Sequence, residues 1–155
     1  MKLVQAALLA FAAFLVFPAA AQTASDMRIL AEKIKADKKL VVAANMQLTE
    51  EESKGFWPVY DAYQKDLAGI NQRLLGTIKR YADAYNKGAV PDATANKLMN
   101  EYLAVEEAEL KLKRAYVPRL EKVVPGAKVA RYLQIENKIR AIFKYELAAQ
   151  IPLVE

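Results

Sequence analysis

The chain has 155 residues, 23 of them basic and 18 acidic, with neither histidine nor cysteine. That composition excludes a disulfide framework and any Ser-His or Cys-His nucleophile, and removes the commonest metal ligand and the ordinary pH switch. The positive surplus lies in residues 22–48 and 125–155, five basic against three acidic in each, while the stretches between are balanced; anionic surfaces or acidic protein segments would favour those ends.

Lys2 is followed by an apolar run from Leu3 to Phe17 that only Gln5 interrupts, then by Pro18 and the small residues Ala19-Ala20-Ala21. This is the layout of a secretory signal peptide cleaved after Ala21. The run is shorter than the ~20 apolar residues that span a bilayer, and Gln22 offers no cysteine for a lipid anchor. The expectation is a signal peptide over 1–21 and one exported domain over 22–155, with no stable membrane insertion. Export also argues against nucleic acid as the reason for the basic charge.

A first helix is predicted from a Ser25 cap to about Ala44, with Met27, Leu30, Ile34 and Val41 on its packing side. Thr49 and Glu52 then form a capping box for a second helix, and Glu50 and Glu51 complement its dipole. Phe56, Tyr60, Tyr63, Leu67, Ile70, Leu74, Ile78, Tyr81 and Tyr85 recur at steps of three and four, one long apolar stripe that Gly88 ends. After the Val90-Pro91-Asp92 turn, a third helix carries Ala95, Leu98, Tyr102, Val105, Leu112, Tyr116 and Val123. Glu107 with Lys111 and Glu109 with Lys113 make i,i+4 pairs on its other face. Pro125-Gly126 breaks the chain before a fourth helix from about Ala127 to Gln150. The fold class is all-α, with about four helices.

Pro58 and Pro118 fall inside long helical patterns, where a proline removes a backbone hydrogen bond and costs ~3 kcal/mol. Such sites bend helices, and Gly55 eases distortion near Pro58. An elongated, bent antiparallel helical hairpin is expected; the alternative is a clean break, with Pro58 starting a new helix.

Leu48-Thr49 at the head of a long helix, Phe56-Trp57-Pro58 behind it and Ala130-Arg131-Tyr132-Leu133-Gln134-Ile135-Glu136-Asn137-Lys138 near the end together resemble the Spy/CpxP-like periplasmic proteins, the LTxxQ family. The chain departs from that pattern in two places. Glu52 stands where the family has Gln, and Val124-Pro125-Gly126-Ala127-Lys128 stands where a second motif would be. The resemblance implies a bent helical hairpin in the periplasm that forms a homodimer. It further implies an ATP-independent chaperone for unfolded proteins under envelope stress, or a regulatory partner of a membrane-bound stress sensor. The branch of the family that binds metal relies on residues such as His, which this chain lacks. No catalytic residue, metal or cofactor is expected.

The fourth helix is the most promising surface. At about 100° per residue, Tyr132, Ile135, Ile139, Ile142 and Phe143 share one face. Arg131 and Lys138 border it on one side, Arg140 and Lys144 on the other. An apolar strip between cationic edges suits an amphipathic client, since burial supplies affinity and charge supplies steering; ordinary core with snorkelling edges gives the same pattern. Glu136 at the strip's edge calls for an Arg or Lys partner, because unpaired burial is expensive. Trp57 lies off the second helix's stripe, either as a contact for a client or second subunit or as packing against the first or fourth helix. Glu106, Glu107 and Glu109 read as a solvated face.

Overall fold

The computed structural model describes residues 38–154. The leader and the part of the first predicted helix before residue 38 lie outside the described residues. Every regular element among the described residues is an α-helix: α1 over 38–46, α2 over Glu50–Tyr85, α3 over Asp92–Leu120 and α4 over Gly126–Gln150. The all-α class stands. Among the described residues no helix is long and apolar enough to cross a membrane.

The start of α2 follows from its sequence. The Thr49 amide donates to Glu52 Oε2 at 2.7 Å, and the Glu52 amide donates to Thr49 Oγ1 at 3.2 Å. The box thus satisfies two amides at this terminus, where the helix's first donors have no intrahelical acceptor. At the other end Asn86 caps α2, and Gly88, at φ 123°, takes the left-handed turn that leads to α3. Pro58 and Pro118 both lie inside continuous helices, so the clean break does not occur. Gly55 has a second use beyond easing Pro58. A Cβ there would stand 2.9 Å from both Cβ and Cγ1 of Val123, so its absence lets the turn after α3 rest on α2.

The chain divides into two compact units, Met1–Val41 and Val42–Glu155, and the core lies within the second. There α2 and α3 form an antiparallel hairpin. Tyr63 meets Tyr116 edge-on at 5.3 Å, the Tyr116 hydroxyl donates to Asp66 at 2.6 Å, and Arg80 pairs with Glu101 nearer the hairpin turn. α4 then runs parallel to α2: Phe56 faces Tyr132, Gln64 faces Glu136, Asn71 faces Arg140, and Tyr81 donates to the Pro152 carbonyl.

The core gathers Phe56, Tyr60, Tyr63 and Leu67 from α2, Tyr116 and Leu120 from α3, Val129 and Tyr132 from α4, and Val42 with Met46 from α1. Five of these ten are aromatic, and they pack edge-on as their quadrupoles favour. Three predicted packing positions turn outward: Val41, Tyr102 and Ile142 are exposed. In α1 the buried pair is Val42 and Met46, one turn apart, in place of Val41.

Candidate partner-binding surface

Leu48, Thr49 and Glu52 form a structural clasp. Leu48 packs against the core. Glu52, besides closing the capping box, pairs with Lys128 in the first turns of α4. Lys128 also donates to the Gln47 carbonyl at 2.9 Å, and Arg131 donates to the Gln47 side-chain oxygen at 3.1 Å. Gln47 itself sits at φ 49°, a conformation few non-glycine residues adopt, so the two cations hold a strained turn in place. The Lys128 hydrogen bond, with that of the Thr49 amide, keeps the Glu52 carboxyl below the usual range. Glu52 supplies the charge that Lys128 answers, which a glutamine would not.

Arg140 and Lys144 are tied inward. Arg140 donates to Glu109 Oε2 through Nε at 2.9 Å and Nη2 at 2.6 Å, and to Asn71 Oδ1 through Nη1 at 2.7 Å. One guanidinium thereby joins α4, α3 and α2. Lys144 donates to both carboxylate oxygens of Glu106 at 2.9 Å. These two cations face α3, so the cationic edge predicted from them is not an open one. The acids change place with them: Glu109 does pair with Lys113, at 2.9 Å, but it is buried in the seam between α3 and α4 and is not part of a solvated face. Burial pushes its carboxyl up, and the Lys113 and Arg140 contacts outweigh that and hold it below the ordinary range.

Glu136 is also buried. The partner shown for it is the Gln64 amide, at 2.9 Å, which also reaches the Tyr132 hydroxyl at 3.2 Å. Burial, reinforced by the charge of Glu136, raises the Tyr132, Tyr60 and Tyr63 hydroxyls well above their ordinary value. Trp57 is half-buried, edge-on to Phe56 at 5.1 Å and to Tyr60 at 5.3 Å. The ring contacts shown for it are with its own helix, and it rests partly buried against the core.

What remains open on α4 is its outer face. Arg131 and Lys138 are exposed there, and Lys138 makes no ion pair among the described residues. Ile142 and Tyr145 join them at 63% and 76% exposure. Steps of seven, four and three bring these four side chains within about 60° of one another around the helix. Tyr145 was not legible as part of this surface, because it lies about 140° around the helix from Tyr132 and so off the apolar strip. α3 exposes a second apolar set, Met99, Leu103 and Leu110, again at steps of four and seven.

Compared with known proteins, the chain matches no family model, no curated protein and no solved structure.

Proposed function

We propose that this chain is an exported, periplasmic polypeptide-binding protein without catalytic activity, acting as an ATP-independent chaperone in envelope stress. The observation that supports it is the outer face of α4, where Ile142 and Tyr145 stand exposed near Lys138, with Arg131 about four turns of helix before Tyr145 on the same face. Large apolar side chains in water are costly unless something covers them, and adjacent cations steer acidic, partly unfolded clients toward them. The resemblance of Leu48-Thr49 and residues 130–138 to the Spy/CpxP-like proteins points the same way.

The test is an aggregation assay with unrelated clients and no nucleotide, comparing the parent chain with the pair Ile142→Ser and Tyr145→Ser. Protection by the parent at near-stoichiometric amounts, lost in the variant and weakened by salt, is the expected result. No protection, together with tight binding to a single sensor domain, would replace the chaperone with the regulatory partner.

The exposed stripe of α3 fits a second copy of the chain. Antiparallel pairing centred on Leu110 stacks that leucine on its copy and brings the exposed Glu107 of one copy within one residue's rise of the exposed Arg114 of the other, opposite charges at the rim of an apolar seam. A Leu110→Glu variant is expected to convert a dimer to a monomer in sedimentation. A monomeric parent chain would remove this pairing.

A further inference from the structure

We infer that the groove between α2 and α3, on the side of the hairpin away from α4, docks an acidic segment of a partner polypeptide. It is a separate surface from the α4 face and stands whether or not that face binds clients.

The groove is open and holds about 470 Å³. Gly69, Gly76 and Ala104 line it with almost no side chain, and Arg73, Arg80 and Glu101 supply its charge. Gly76 lies five residues from Asn71 and Ala104 five from Glu109, about 140° around their helices, and Gly69 lies two from Asn71, about 160°, which turns the groove from the residues that hold α4.

The glycines are informative because each costs up to ~1 kcal/mol against alanine inside a helix. Gly76 has an internal use: a Cβ there would stand 3.3 Å from Arg80 Nη1, so its absence lets the arginine lie back along α2. Gly69 has none. Nothing lies within 4 Å of the Cβ it lacks, and its φ is not positive. What its absence does provide is a floor at backbone level, where another chain can approach closely.

Charge selects the occupant. Arg73 is exposed and makes no ion pair among the described residues. Arg80 is engaged by Glu101, and Lys97 lies near enough that its charge also helps to lower the Glu101 carboxyl. Two arginines and one carboxylate therefore line the groove, with the carboxylate engaged by Arg80 and Arg73 left over, and guanidinium groups recognise carboxylates with two parallel hydrogen bonds. From Gly69 to Arg80 the floor runs for about 16 Å, the length of a peptide segment, far more than a single inorganic anion would fill.

The test uses a labelled peptide of alternating Glu-Ala composition, titrated by anisotropy against the full chain and three variants. Arg73→Glu is expected to weaken binding at least about tenfold, since it sets like charges face to face. Gly69→Leu is expected to weaken it similarly while raising the Tm, because leucine is the better helix former and its Cβ meets open space. Lys122→Glu, an exposed position in the turn after α3, should leave binding unchanged. Unchanged affinity in both groove variants would overturn the inference. So would complete displacement of the peptide by millimolar inorganic phosphate, or equal Arg73-dependent binding to phosphatidylglycerol vesicles.

Discussion

Glu109 shows how much one side chain can carry. Its carboxylate is almost wholly screened from water and is met by Arg140 from α4 and Lys113 from its own helix. Breaking a buried pair leaves the surviving charge uncompensated, which costs about 3–5 kcal/mol. Arg140→Ala should therefore lower stability by about 3 kcal/mol, the low end because Lys113 remains, as read from urea unfolding. Because the folded state holds this carboxyl below its ordinary pKa of 4.5, the unfolded chain binds the proton more readily. Its contribution is present above pH 4.5 and is lost as pH falls below that value. Acid titration of the Tm should show a shallower fall in Glu109→Gln than in the parent. The sequence made the Glu109–Lys113 pair legible, but not its depth. Spacing along one helix determines i,i+4 neighbours, whereas burial depends on where α4 lies, and nothing local to α3 encodes that.

Among the elements, α2 was the most legible. Thr49, Glu52 and the three-four recurrence from Phe56 to Tyr85 are local signals, and the helix starts where they place it. Thr49→Ala should cost about 1 kcal/mol of stability without changing helix content beyond its first turn. Gly55→Ala carries the opposite lesson from Gly69. Helix propensity favours alanine, yet the new methyl group would overlap Val123, and overpacking of this kind costs about 1–3 kcal/mol. A lower Tm in Gly55→Ala is expected; a higher one would mean that the turn after α3 moves aside freely. α4 was the least legible helix because its apolar face is covered in its first part and open toward its end. Tyr132, Ile135 and Ile139 pack inward while Ile142 and Tyr145 point to water, and periodicity does not distinguish a core stripe from an exposed one.

For the unit beyond Val41 as a whole, the aromatic core sets an alkaline limit. Burial holds the Tyr60, Tyr63 and Tyr132 hydroxyls above their ordinary value of 10.0, so above pH 10 the unfolded chain loses protons that the folded one keeps, and stability falls as pH rises. Phenolate absorbance from these three residues should appear together with the loss of helical circular dichroism; early ionisation in an intact fold would contradict their burial. The parallel placement of α4 beside α2 has a further consequence, for the order in which the chain folds. Hairpin contacts such as Arg80 with Glu101 join residues 21 apart, whereas the contacts of α4 with Gln47, Glu52 and Gln64 join residues 68 to 84 apart. Loop closure favours the nearer pairs, so the hairpin can zip from its turn long before α4 is available. Until Tyr132 has been synthesised, the aromatic face of α2 has no lid. Chains truncated before that residue should therefore aggregate, and not simply melt earlier.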